Sequence, residues 1–317
     1  MITNMEQLSQ QLDYSLIAQR LGTTSIVGFG ESTHGTHEFF QTKTDLFKEL
    51  VQNHGFNTFF LESVDDRCVE IDTYIQTGEG NPEELVNKLF YVYRTEEILE
   101  LVNWLREHHE QHPVRFIGID ERKYVDDYAS DYGLDKVNLR DKRMGLVVKN
   151  YVEQDSNTKA MVWAHDTHVA AYIDPPEWEP DTRQIAMGEN LRNWFGKDYY
   201  SVAQLFGSGY FNAALIEESG KFDNSKLVSQ YARKVSKWFW ENALSKKLTE
   251  PIFLEAPDFA GLIEKDKARY KRALGWGVQR SVMHDQNNVT YIDMSKAFNA
   301  VIFFPKATAS HLLTQKQ

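Results

Sequence analysis

Six short runs of β-branched and aromatic residues do most to limit what this chain can fold into. They are Ser25–Gly30, Thr58–Leu61, Val114–Ile119, Ala160–Ala164, Tyr200–Leu205 and Ala300–Phe304, each bounded by Gly, Asp, Asn or Pro. Near-continuous hydrophobicity over four to six residues is the pattern of a strand buried on both faces, as in a parallel sheet covered by helices. Helical periodicity separates the runs. Thr36–Asn53 places Phe39, Phe40, Phe47, Leu50 and Val51 on one stripe, and Glu96–His108 does the same with Ile98, Leu99, Leu101, Val102 and Leu105. The expected fold is α/β: a mostly parallel central sheet flanked by helices, with a helical insertion or cap. One domain over 1–317 is expected, with helical insertions at about 64–109 and 219–280. The second of these has Trp238, Phe239, Leu244 and Leu248 as its apolar anchors.

The ends of these runs carry the chemistry. The first ends in Gly30-Glu31, the second in Leu61-Glu62, the third in Ile119-Asp120, and the fourth in Ala164-His165-Asp166-Thr167-His168. In an open parallel sheet the carboxyl ends of the strands share one edge, where ligands bind. Glu31, Glu62, Asp120 and His165 are therefore expected on one rim. Gly28 and Gly30 are read as letting the backbone turn sharply into the next helix. Backbone N–H groups at that helix start can stabilise an oxyanion.

Within Gly30–Gly35 (Gly-Glu-Ser-Thr-His-Gly), His34 is either a helix cap or a general base oriented by Glu31. His37 reads as a helix-surface residue. His165 and His168, two residues apart, fit a base and its partner. With Glu31, His34 and Glu62 they also make a nitrogen and oxygen ligand set suited to zinc, manganese or iron. Arg94, before the helix leading to the third strand, is either a surface arginine or a grip for a substrate carboxylate or for Glu31 or Glu62.

Other classes are excluded. A net charge of -11 argues against nucleic acid. The basic stretch at Lys265, Lys267, Arg269, Lys271 and Arg272 reads as a solvated helix face. Cys68 is the only cysteine, so no intramolecular disulfide or thiolate cluster forms, and its acidic neighbours make it a poor nucleophile. The N-terminal residues lack the basic start and apolar run of a secretory signal, and no apolar run reaches membrane-spanning length. A cytoplasmic location with no membrane partner is expected. Thr33 stands where a dinucleotide fingerprint needs its third glycine, and neither a Walker A sequence nor a Gly-x-Ser-x-Gly elbow is present.

Val27–Phe40 (VGFGESTHGTHEFF) closely resembles the signature of the erythromycin esterase family. The resemblance continues through Phe60-Leu61-Glu62, Tyr74 with Gly78, Trp104-Leu105-Arg106, Gly118-Ile119-Asp120, Arg140-Asp141 with Met144, Val162–Val169, Met187-Gly188 and Phe298–Ile302. It implies hydrolysis of a small-molecule ester or lactone, a macrolide lactone in the known esterases, with no covalent enzyme intermediate and no cofactor. His34 would then activate water, supported by Glu31, while Glu62 and His165 or His168 orient the base or assist the leaving alcohol. Family members often carry the label succinoglycan biosynthesis protein. The chain departs from the family pattern at Lys43, where an arginine that could grip substrate is usual, at Asp166 for asparagine, and at Asn299 for aspartate. These departures point to a substrate related to, but other than, a macrolide. Two further readings use the same residues: a metal-dependent hydrolase, and a non-catalytic binder of a polyketide, sugar or lipid.

Overall fold

The alternation of apolar side chains decides which layer each strand residue joins. In the computed structural model, which describes residues 12–123, 133–175, 181–216, 222–263, 268–279 and 289–313, the first strand β1 (Ile26–Phe29) sends Val27 and Phe29 into one core and Ile26 into another. The strands β2 (Thr58–Val64), β3 (Arg115–Asp120) and β4 (Ala160–Trp163) follow the same period of two, with Phe59 and Leu61 opposite Phe60, and Met161 and Trp163 opposite Val162. Helices α1 (Tyr14–Leu21), α2 (His37–His54), α3 (Asp65–Thr77) and α5 (Glu96–His108) supply the first core; α4 is the short turn Pro82–Val86. Helix α6 (Leu134–Gln154) supplies Met144 and Val148 to the second. After the short α7 (Asp166–Val169), helix α8 (Met187–Phe195) adds Met187 and Leu191. Both faces of the sheet are thus covered, as the continuous apolar runs require.

The remaining strands are β5 (Tyr199–Ile216), β6 (Phe222–Ala232), β7 (Ile252–Glu255), β8 (Tyr270–Arg272), β9 (Gly277–Gln279), β10 (Val289–Tyr291) and β11 (Ala300–Ala307). The main sheet runs β3-β2-β4-β1-β5-β11-β7, parallel except for β7 at its edge. Register aligns the carboxyl ends: Phe29 and Leu61 both pair with Trp163, and Leu61 also pairs with Gly118. A bulge between Leu61 and Val64 re-aims Glu62 at that edge. Among the described residues no helix is long and apolar enough to cross a membrane.

The segment 219–280 corrects the sequence reading. Among its described residues, helix is found at Trp240–Ser245 and Ala256–Ile263. Phe222–Ala232 is instead a strand, antiparallel to the second half of β5, with Tyr231 facing Tyr210 at 5.0 Å between rings. Cross-strand packing overrides a weak helical stripe here. Trp238, expected as an apolar anchor, is exposed. Two residues of the expected solvated basic face are not solvated either. Lys271 and Arg272 lie on β8 and are buried, with the Arg272 guanidinium donating to the carbonyls of Phe206 and Gly207. Lys265 and Lys267 lie outside the described residues. The inserted segment at 64–109 contains α3, α4, a 3-10 turn at Tyr91–Tyr93 and α5.

Candidate active site

The loop leaving β1 is pinned on both sides before it reaches α2. Gly30 and Ser32 donate backbone hydrogen bonds to Val202 and Gln204 of β5, and Leu274 donates to the Ser32 carbonyl. Neither Gly28 nor Gly30 has a positive φ. Gly30 is needed because a Cβ there would lie 2.2 Å from Asp166 Oδ1, so close approach replaces the sharp turn inferred from sequence. At Gly35 a Cβ would lie 1.9 Å from the Asn212 carbonyl oxygen. The expected oxyanion hole at the start of α2 is not available in full. The His37 N–H donates to the Thr308 carbonyl and the Gly35 N–H to Thr33 Oγ1.

Glu31 is fully buried and fully engaged. One oxygen accepts from His34 Nδ1 at 2.7 Å; the other accepts from Trp163 Nε1 at 2.9 Å and from Lys43 Nζ. Lys43, fully buried, also lies 4.2 Å from the Trp163 ring centre. Burial lowers its ammonium to about 8 even though Glu31 favours the charged form. Lys43 is thereby tied to Glu31 and is not a free grip for substrate. Because Nδ1 of His34 donates to a carboxylate, its Nε2 is left as a lone pair, and it has no hydrogen-bond partner among the described residues. That is the geometry of a base, and the helix-cap alternative falls away: the cap position of α2 is Thr36.

The His34 ring faces His165 at 5.1 Å and Tyr93 edge-on at 6.0 Å. His165 Nδ1 accepts the Thr167 N–H at 3.3 Å, which assigns the proton to Nε2. Burial, with His34, Lys271 and His168 nearby, holds this imidazole neutral, its pKa well below the usual range. Among the described residues its Nε2 is buried without a partner, and so is the Tyr93 hydroxyl. Burial and the charges of Glu62 and Glu31 push that hydroxyl well above ordinary tyrosine, so it keeps its proton. Two spare donors therefore flank His34.

A second cluster lies toward β3. Arg140 of α6 grips Asp120 with two bonds, at 3.0 and 2.5 Å, and reaches Glu62 at 2.9 Å. His168 Nδ1 donates to Asp141 at 2.8 Å, and its Nε2 lies 3.2 Å from Glu62 Oε1. Burial would lower the His168 pKa, but the two carboxylates raise it to about 10, so the ring is an imidazolium. Its Nε2–H then serves Glu62, and the 3.2 Å approach of Arg140 Nη1 to the same nitrogen is a contact between donors. Burial would raise the Glu62 pKa; His168 and Arg140 hold it well below the ordinary carboxylate range. The other Glu62 oxygen accepts the His165 backbone N–H at 2.8 Å, which joins the two clusters.

The five residues of the metal-ligand reading are near one another, but both carboxylates and His168 are taken, leaving only the ring Nε2 atoms of His34 and His165 open among the described residues. Glu31 faces Lys43, Glu62 faces Arg140, and His168 is protonated between carboxylates. A cation there would have to displace resident cations. Asp120 is likewise held by Arg140. Arg94 joins neither cluster: its Nε donates to the Leu89 carbonyl, and neither Glu31 nor Glu62 is its partner. Asn299 accepts from Arg192 and from the Ser201 N–H at 3.0 Å, fixing the end of β5 rather than meeting the site.

Five participants escaped the search for site residues: Tyr93, Arg140, Asp141, Trp163 and Lys271. Lys271 Nζ lies 3.1 Å from Asp166 Oδ2, both side chains fully buried. The cation beside Asp166 is Lys271, and the neighbouring His165 stays neutral. Cys68 is buried, and burial raises its thiol to about 12, so it stays unreactive.

This arrangement has relatives. The family model described as Erythromycin esterase matches residues 51–132 and 121–307. The chain belongs to the erythromycin esterase family. An erythromycin esterase type II of Escherichia coli is 30% identical over 110 residues, 34% of this chain and 26% of the relative, so the chain matches about a quarter of that protein's length. Among solved structures, one titled as a succinoglycan biosynthesis protein superposes with a TM-score of 0.75 at 19% identity, covering 98% of this chain and 94% of the other. A histidine-to-asparagine variant of the erythromycin esterase EreC, in its open conformation, gives 0.69 at 14% identity, with 96% and 97% covered. At these identities the superpositions establish the fold. Family membership supports a hydrolase-like function.

Proposed function

We propose that this protein hydrolyses a carboxylic ester or lactone by direct attack of water, with His34 as the general base. The carrying observation is the buried Glu31–His34 pair, at 2.7 Å, with His34 Nε2 free of any partner among the described residues. A water donating to Nε2 gives up its proton as its oxygen bonds to the carbonyl carbon. The carbonyl oxygen becomes an oxyanion, and His165 Nε2–H and Tyr93 Oη–H are the spare buried donors that suit it. On collapse the C–O bond breaks and the imidazolium of His34 returns the proton to the leaving alkoxide. Glu31 holds the His34 tautomer and stabilises the imidazolium, while Lys43 and Trp163 hold Glu31.

Screening esters and lactones, macrolides among them, with purified protein and with His34→Ala tests this reading. Turnover of a substrate by the parent protein should fall by about 10²–10⁴-fold in the variant, whose circular dichroism and melting stay those of the parent. Full activity in His34→Ala overturns the mechanism.

A further inference from the structure

We propose that His37, Glu97 and His311 form a binding site for a zinc-like divalent transition-metal ion, separate from the hydrolytic site. Three elements distant in sequence bring them together. His37 opens α2, Glu97 lies in the first turn of α5, and His311 follows β11. Their ligand atoms all lie within 4.8 Å of one another. His37 Nδ1 is 2.6 Å and His311 Nδ1 is 3.6 Å from the same oxygen, Glu97 Oε1, and the two rings are 4.4 Å apart.

Two imidazoles and a carboxylate are a donor set that zinc accepts, with bonds of about 2.0–2.2 Å. A tetrahedral ion with such bonds needs ligand atoms roughly 3.3 Å apart. The His311 contact already meets this. The His37 contact is a hydrogen bond that opens by less than about 1 Å when the metal takes the place of the shared proton. The second Glu97 oxygen is buried and finds no hydrogen-bond partner of good geometry among the described residues. Glu97 is 2% exposed, so this is an anionic side chain held away from water. Burying a carboxylate atom without a partner is costly, and a bound cation would repay that cost.

The site is organised in advance by the backbone. The segment after β11 is strapped to both helix starts: His37 donates to the Thr308 carbonyl at 2.9 Å, Glu96 to the His311 carbonyl at 2.8 Å, and Leu313 to the Arg94 carbonyl at 2.9 Å. The His311 N–H itself donates to Glu97 Oε1 at 3.0 Å. His311 is 56% exposed, so an ion can enter from solvent and water can complete its shell. Glu96, 4.0 Å from His311 Nδ1, offers a further carboxylate on the open side. An ion bound here would staple the strap to α2 and α5.

The test is calorimetric titration of Zn2+ into untagged, chelator-treated full-length protein, followed by the absorption spectrum of the Co2+ form. One equivalent should bind, with affinity at least about tenfold weaker in His311→Ala and in His37→Ala, since even loss of an outer-shell partner costs that much. His311 is exposed, so its substitution leaves the core intact, and melting without metal checks this. Binding should survive in His165→Ala. Absence of Zn2+ binding, binding unchanged in both His311→Ala and His37→Ala, or loss only in His165→Ala overturns the proposal.

Discussion

Lys271 and Asp166 form an ion pair with both side chains at zero exposure, so removing one partner has a calculable consequence. Lys271→Met leaves a carboxylate buried without its partner, which costs about 3–5 kcal/mol. With about 2.1 cal/mol/K of unfolding entropy per residue, the 317-residue chain has roughly 0.67 kcal/mol/K, so melting should fall by about 4–8 °C. Asp166→Asn combined with Lys271→Met removes both charges and keeps the volumes similar. That double variant should lie within about 1 kcal/mol of the parent. Thermal and urea unfolding of the parent, both single variants and the double variant give the coupling, expected to be at least about 2 kcal/mol. The pH dependence adds a sign. Burial raises the Asp166 carboxyl above its unfolded value, against the pull of Lys271. Without Lys271 it rises further, so Lys271→Met should approach the parent as pH falls from 8 to 5 and the carboxyl takes a proton. A double variant as unstable as the sum of the singles refutes the pairing argument.

Two other outcomes follow from the site. Glu31→Gln removes the charge and leaves one acceptor oxygen for His34, Lys43 and Trp163 to compete for, and should lower kcat by about 10²–10⁴-fold with little change in KM. Steady-state kinetics on any ester found by screening checks this, and a change confined to KM would contradict the role given to Glu31. His168, raised to about 10 in the fold from about 6.5 unfolded, stabilises fully below about pH 6.5 and loses that contribution as pH rises through about 10. Urea unfolding between pH 6 and 10 should show this decline in the parent and a flatter profile in His168→Gln; identical slopes would remove the imidazolium assignment.

The sheet was legible because its strands carry their own evidence: runs such as Thr58–Leu61 have no polar face and fit only between two helical layers. The rim residues were legible for the same reason, since parallel strands in register must deliver Glu31, Glu62, Asp120 and His165 to one edge. What sequence could not show was pairing. Lys271 sits in a basic stretch whose neighbours read as solvated, and only the antiparallel β8–β10 contact and the position of Asp166 bury it. Lys43 was read as a grip for substrate because nothing local shows that Trp163, 120 residues later, covers it. His37 was read as a surface residue because its partners, Glu97 and His311, come from α5 and the strap. Phe222–Ala232 lacked a clean alternation, so its partner strand rather than its own pattern decides its conformation.

Charge accounting explains why so many ionic groups can sit together at this edge. Glu31, Glu62, Asp120, Asp141 and Asp166 are buried anions; Lys43, Arg140, Lys271 and the His168 imidazolium are buried cations. Each anion touches a named cation: Glu31 has Lys43, Asp166 has Lys271, and Glu62, Asp120 and Asp141 share Arg140 and the His168 imidazolium. The named groups therefore hold one more negative charge than positive, and the surplus lies among Glu62, Asp120 and Asp141. Glu62 of that cluster accepts the His165 backbone N–H, so the surplus sits beside the His34–His165 pair in a region too dry for solvent to screen it. The surplus makes the fold less stable than a neutral core would be, and it is the part of the arrangement that packing alone does not require. Asp166 and Lys271 fit this account as a self-contained pair: they add charge of both signs and leave the surplus among Glu62, Asp120 and Asp141 unchanged.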